Sequence, residues 1–194
     1  MTRNKRILNI TLTAMFMALL IAMTFIPYVG YIVYGGLSIT TLHVVTILGA
    51  TVLGPLYGTI LGGVWGVTCL IYAMMNGTAD AMIFLDPRIS VIPRILVGLI
   101  AGWCFRALSR LLSKRKNRDW LAAIITAVVG TLSNTALVLS SISIFGTGVA
   151  TIGGTLKTIL ATAIALNGLV ELGIAIVLVP TISAPLLKIK RRYS

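Results

Sequence analysis

The sequence is short of charge, and above all of negative charge. Only 10% of its 194 residues are charged, and only four are acidic: Asp80, Asp86, Asp119 and Glu171. A water-soluble domain carries about 25% charged residues, so this chain lacks the means to coat a water-facing surface, and a soluble enzyme or a disordered chain is poorly supported. Cysteine is nearly absent. Cys69 and Cys104 both sit inside apolar runs without CxxC spacing, which argues against a disulfide-rich secreted module and reads as two small buried hydrophobes. The lone histidine, His43, has no second histidine or carboxylate cluster near it in sequence, so it reads as structural and no metal centre is expected. There is no glycine-rich phosphate loop with its lysine, hence no ATPase activity of the chain's own. No nucleophile–base pair or paired intramembrane carboxylates suggest hydrolysis or proton pumping. With no inverted repeat, a self-sufficient secondary transporter is also poorly supported. Nothing calls for a cofactor or for catalysis.

What is present is hydrophobicity: 58% of the residues are apolar and the mean hydropathy is +1.03. The formal charge of +12 might suggest a nucleic-acid partner, but such proteins spread basic residues over a solvated face. Here thirteen of the sixteen basic residues fall in three clusters between apolar stretches: Arg3, Lys5 and Arg6; Arg106, Arg110, Lys114, Arg115, Lys116 and Arg118; Lys188, Lys190, Arg191 and Arg192. That is the pattern of membrane topology, not of nucleic-acid binding. The first apolar run, Ile7 to Ile26, has about the 20 residues a spanning helix needs, and no small-residue cleavage site follows it, so it reads as a membrane helix and not as a signal peptide.

Five further helices are expected. The first stops at Pro27, and a tyrosine- and glycine-rich segment, Tyr28 to Ser38, has the composition of an irregular interfacial stretch. The second covers Ile39 to Leu53 and ends at the turn signal Gly54-Pro55; the third runs from Tyr57 to Met75. Residues Asn76 to Ile92 form a polar connection, long enough to act as a lid. The fourth helix opens at Pro93 and reaches Leu112, and a charged loop, Ser113 to Asp119, leads to the fifth, Trp120 to Phe145. The sixth is expected over Leu156 to Leu187, with Pro180 and Pro185 bending or ending it near the surface. Placing all three basic clusters in the cytoplasm requires an even number of crossings between them, and four plus two satisfy this. The expectation is an all-α integral membrane protein: a bundle of six transmembrane helices forming a single membrane-embedded domain over residues 1–194, with both termini in the cytoplasm.

Several residues carry chemistry in that frame. Arg94, after Pro93 at the outer end of the fourth helix, adds a guanidinium to the positive helix terminus and suits a carboxylate or phosphate. An ion pair with Asp86 or Glu171 is the alternative. Glu171 is the one acidic residue inside an apolar helix, and Asn167 lies one turn before it on the same face; such groups are costly in a membrane and imply function or pairing. Asn134 lies among Thr131, Ser133 and Thr135 in the fifth helix, facing that stripe. Trp65 and Tyr72, seven apart on the third helix, share a face and wall a cavity or anchor the interface. Ala14, Ala18 and Ala22, four apart on the first helix, form a small-residue face that lets another helix approach closely.

These residues sit in stretches that resemble one family. The segments AMFMALLIA (Ala14 to Ala22), TTLHVVTILGATVLGPLYG, ISVIPRILVGLIAG, the SNT around Asn134 and NGLVELGIA (Asn167 to Ala175) resemble the substrate-binding S components of energy-coupling factor (ECF) vitamin transporters, over nearly the whole chain. The resemblance implies a vitamin ligand, bound by Arg94, Asn134, Asn167, Glu171, Trp65 and Tyr72. It also implies a bacterial plasma-membrane location and docking of the Ala14, Ala18 and Ala22 face on a shared transmembrane scaffold subunit that works with two ABC ATPases. PRILVGL and NGLVE look most like pantothenate-type members, with relatives for hydroxymethylpyrimidine or pyridoxine sharing much of the pattern. Arg94 suits the carboxylate of pantothenate, and the two asparagines suit its amide and hydroxyls. A flat ring would instead favour stacking on Trp65 or Tyr72. A ligand-free accessory subunit and a small membrane enzyme stand as the more distant alternatives.

Overall fold

The computed structural model describes the backbone of residues 3–26, 28–34, 37–76, 83–145 and 155–192, and the side chains of these except 3–5, 32–34, 37–39 and 155–167. The chain runs α1 (Arg3–Phe25), β1 (Tyr31–Tyr34), β2 (Leu37–Thr40), α2 (Leu42–Leu53), α3 (Pro55–Asn76), a single turn α4 (Pro87–Ser90), α5 (Ile92–Leu111), α6 (Arg118–Phe145) and α7 (Thr155–Arg192). Among the described residues α1, α3, the α4–α5 stretch, α6 and the Gly168–Arg192 part of α7 are long and apolar enough to cross a membrane. The sixth major helix, α2, has 12 residues. The protein is a multi-pass, all-α membrane protein.

α2 is the hub. All twelve of its residues are buried, and it belongs to both halves of the core. One half joins Val44, Ile47 and Ala50 of α2 to Val97, Ala123 and Val179 of α5, α6 and α7; the other joins Leu42, Val45 and Leu48 to Phe16 and Leu20 of α1 and to Leu61 and Trp65 of α3. Burial on every side goes with a helix that is apolar on all its faces except for His43, Thr46 and Thr51. It ends at Gly54, whose φ of 103° is a conformation few residues other than glycine adopt, and Pro55 then opens α3 at a position where a missing N–H costs nothing.

The closest helix contact is between α3 and α5. A side chain at Gly62 would strike the Arg94 carbonyl, one at Gly98 the Gly58 carbonyl, and one at Gly66 would lie 2.7 Å from Val91 Cα. Glycine every fourth residue along α3 thus lets two backbones touch, the arrangement by which small residues hold helices together in lipid. That contact fixes where Arg94 stands.

Three segments differ from the sequence expectation. Ile39 and Thr40 are not helical: β1 and β2 form an antiparallel hairpin pairing Tyr31 with Thr40 and Tyr34 with Leu37, so α2 begins only at Leu42. The β-branched and aromatic residues of YIVY and LSIT favour extended backbone. The polar connection before Pro93 contains the turn α4, capped by Asp86, whose carboxylate accepts from the Arg88 N–H at 2.8 Å; residues 77–82 lie outside the described residues. Pro180 and Pro185 do not end the last helix, which continues through them to Arg192. Neighbouring helices and hydroxyls make proline tolerable inside a membrane helix. Thr181, beside Pro180, returns its hydroxyl to the Val177 carbonyl at 2.6 Å, and the helix end is tied down by Lys190 donating to the Val52 carbonyl at 2.7 Å and by Arg191 pairing with Asp119 at 2.8 Å.

Candidate functional site

The α3–α5 contact delivers Arg94 into the bundle with 5% of its surface exposed. Its guanidinium lies over the Trp65 ring at 5.2 Å and the Phe84 ring at 4.9 Å. One Nη donates to the Ile89 carbonyl at 2.6 Å and the other reaches the Cys69 thiol at 4.0 Å, while Nε has no protein partner. Two aromatic faces and a carbonyl therefore hold the cation in place, and the donor edge not used for holding remains for a ligand. The alternative ion pairs are not formed: among the described residues Arg94 makes no salt bridge, Asp86 caps α4, and the Glu171 carboxylate accepts from the Thr40 N–H at 2.8 Å. Arg94 and Glu171 are nonetheless near enough for the charge of one to act on the other.

Of the other expected residues, Trp65 touches this cation. Trp65 is 1% exposed, with the Tyr31 hydroxyl beside it. Tyr72, about two turns further along α3, stacks on Tyr31 of the hairpin with ring centroids 4.6 Å apart at 18°. The pair borders a recess of about 400 Å³ that also takes in Thr24, Tyr28 and Asn76. Asn134 is buried with its Oδ1 unpartnered, as is the Thr131 hydroxyl beside it. Gly130 of α6 meets Ile47 of α2; one turn further along these antiparallel helices lie Asn134 and His43, at the same level. The side chain of Asn167 lies outside the described residues, though its backbone is helical, one turn before Glu171.

The structure adds residues that sequence reasoning passed over. Tyr31 brings its hydroxyl beside Cys69 and Trp65, and burial raises that phenol well above its ordinary value, so it stays a neutral O–H. His43 is fully buried beside the backbone of Thr40 and Glu171, and among the described residues the Thr40 hydroxyl has no hydrogen-bond partner. Phe84 covers Arg94. The tyrosine-rich segment was a visible signal for Tyr31; nothing in the sequence singled out Thr40 or Phe84, because they reach the site only through the hairpin and the turn before α4.

Buried polar groups are almost always hydrogen-bonded, and each one left unpaired costs about 1–3 kcal/mol. Here, among the described residues, Arg94 Nε, the Thr40 hydroxyl and Asn134 Oδ1 have no hydrogen-bond partner. Buried polar atoms without a partner also occur away from these, at Asn9, Ser109 and Ser183. Donors and acceptors beside a held cation, with aromatic rings over it, are the groups that a membrane-embedded site for a small polar molecule uses, and they mark this region as the candidate site.

Comparison with known proteins agrees with this class. Residues 8–183 match the family described as ECF transporter, substrate-specific component, and the chain belongs to that family. Its members are transport components and not enzymes. Two relatives are both pantothenate transporters called PanT. The one from Lactococcus lactis subsp. cremoris is 32% identical over 167 residues, covering 77% of this chain and 78% of that protein. The one from Leuconostoc mesenteroides is 34% identical over 107 residues, covering 53% of this chain and 52% of that protein. The chain thus spans about half the length of the second relative.

Proposed function

We propose that this chain is the pantothenate-binding S component of an ECF importer. It takes the vitamin from outside the cell and delivers it inward when docked on a transmembrane scaffold subunit driven by two ABC ATPases. The observation that carries the ligand assignment is Arg94, a buried cation with an unused donor. A carboxylate is its natural counterpart, and Asn134, Asn167, Tyr31 and His43 supply partners for an amide and hydroxyls. The names of the two relatives support the same ligand. The competing flat vitamins, pyridoxine and hydroxymethylpyrimidine, need an open aromatic face, and one face of Trp65 is already covered by the Arg94 guanidinium. Segment 83–91, which lays Phe84 over Arg94, is the lid.

In this reading the end of the bundle bearing the hairpin and α4 faces outward. Both termini and the Arg118 end of α6 face the cytoplasm, where the positive-inside rule puts their lysines and arginines. Ala14, Ala18 and Ala22 are all exposed along one face of α1 and form the docking face. The test is titration calorimetry of the detergent-purified protein against pantothenate, pyridoxine and hydroxymethylpyrimidine. Pantothenate should bind one to one and the others at least tenfold more weakly; tighter binding of either ring compound overturns the assignment.

A further inference from the structure

The opposite end of the bundle holds a second cavity, of about 660 Å³, whose lining has no counterpart in vitamin recognition. Five cations border it: Arg106 and Arg110 from the last turns of α5, Arg118 at the start of α6, and Lys190 and Arg191 at the end of α7. One carboxylate lies among them. Asp119 binds Arg191 at 2.8 Å and Arg118 at 3.5 Å, and Lys190 is engaged with the Val52 carbonyl. Neither Arg106 nor Arg110 enters a salt bridge among the described residues, and both are exposed. At the inner wall stands Asn9, 2% exposed, with its Oδ1 unpartnered.

Much of the remaining lining is apolar, including Val52, Pro55 and Phe105, with Thr51, Tyr57 and Ser109 as its further polar groups. Leu56 in the lining is 68% exposed, and beside the cavity Arg106 lies over the ring of Trp103, itself 55% exposed, at 5.9 Å. Exposed tryptophan marks the level of the headgroups. An excess of positive charge at that level, joined to an apolar surface, fits a ligand that is anionic at one end and hydrocarbon at the other. A free phosphate uses only the first property and leaves the apolar wall unexplained. Basic pockets between membrane helices take acidic lipid headgroups in this way.

We propose that this cavity is a binding site for an anionic phospholipid headgroup. The phosphate lies between Arg106 and Arg110, a headgroup hydroxyl meets the Asn9 carbonyl, and the acyl chains run along Leu56 and Trp103. The assignment is independent of which vitamin is carried.

The test is native mass spectrometry of the detergent-purified full chain, titrated with phosphatidylglycerol, with phosphatidylcholine of the same acyl chains, and with inorganic phosphate as competitor. Phosphatidylglycerol should be retained at least tenfold more tightly than phosphatidylcholine. Arg106→Gln with Arg110→Gln should weaken it about tenfold or more, since each basic group near an anionic headgroup contributes severalfold. Lys114→Gln with Lys116→Gln, which removes the same charge from the adjacent exposed loop, should leave retention unchanged, and Asn9→Leu should weaken it without altering the phosphatidylcholine baseline. Equal retention by the double arginine variant, or an equal loss in the loop variant, overturns the site. Displacement by millimolar phosphate assigns it to a free anion instead. Unchanged lipid retention with loss of the scaffold subunit on co-purification assigns it to a protein partner.

Discussion

Replacing Arg94 by alanine separates what this residue does for the ligand from what it does for the fold. The side chain is 5% exposed, so any bond it makes to a carboxylate lies away from water, where losing a charge-assisted hydrogen bond costs about 1.5–3 kcal/mol, or roughly one to two decades in Kd. The same substitution strips the Ile89 carbonyl of its donor at 2.6 Å and leaves the Trp65 and Phe84 rings without the cation between them. Those losses fall on stability and are read in the thermal midpoint without ligand, not in the isotherm. The discriminating ligand is pantothenol, in which a hydroxymethyl group replaces the carboxylate. Titration of parent, Arg94→Ala and Arg94→Lys should show the affinity for pantothenate falling about 10- to 100-fold in the alanine variant. Lysine should recover only part, because an ammonium lacks the flat two-pronged donor edge. Pantothenol should bind weakly and nearly equally to all three. If Arg94→Ala binds pantothenate as tightly as the parent, or loses both ligands in equal measure, the carboxylate does not meet this guanidinium.

Gly98→Val should lower the thermal midpoint more than any single change on the lipid face, since its side chain would collide with the Gly58 carbonyl and overpacking of this kind costs about 1–3 kcal/mol; an unchanged midpoint in a thermal shift assay would refute the backbone contact. Ala18→Trp should abolish co-purification with the scaffold and ATPase subunits while pantothenate still binds the isolated chain, because a large side chain holds a partner helix away; normal yield of the complex would move the docking surface elsewhere. Single cysteines at positions 116 and 191 should react with a membrane-impermeant thiol reagent only after the cell is opened, and labelling of one of them from outside would break the proposed topology.

The architecture was largely legible because it follows from solvent. Long apolar runs separated by basic clusters dictate helices in lipid, and these gave the six helices to within a few residues at most ends. What failed was what depends on neighbours. Ile39 and Thr40 read as the start of a helix because Ile39 leads into an apolar run, yet Leu37–Thr40 pairs with Tyr31–Tyr34 and the Thr40 N–H donates to Glu171. Pro180 and Pro185 read as bending or ending the last helix, by rules drawn from water, where a broken backbone bond finds solvent; within the bundle the helix runs on through both. At the site, Arg94, Trp65, Tyr72, Asn134 and Glu171 stood out because polar or aromatic side chains in apolar surroundings are conspicuous. Tyr31, Phe84 and the second role of the α3 glycines were not, since each acquires meaning only from what the fold brings beside it.

The length of α2 bears on how the protein is made. Twelve helical residues rise about 18 Å, well short of the roughly 30 Å of a bilayer's hydrocarbon interior. With every residue turned toward other helices, α2 also meets no acyl chain in the finished molecule. Such a segment cannot leave the translocon by partitioning alone and wait in lipid for its neighbours. Gly54 and Pro55 join it to α3 with no intervening loop, so the two enter together as a helical hairpin, α3 supplying the hydrophobic length that α2 lacks. Membrane insertion of the first half of this chain is therefore a paired event, and the centre of the binding subunit is shielded from lipid from the time it is assembled.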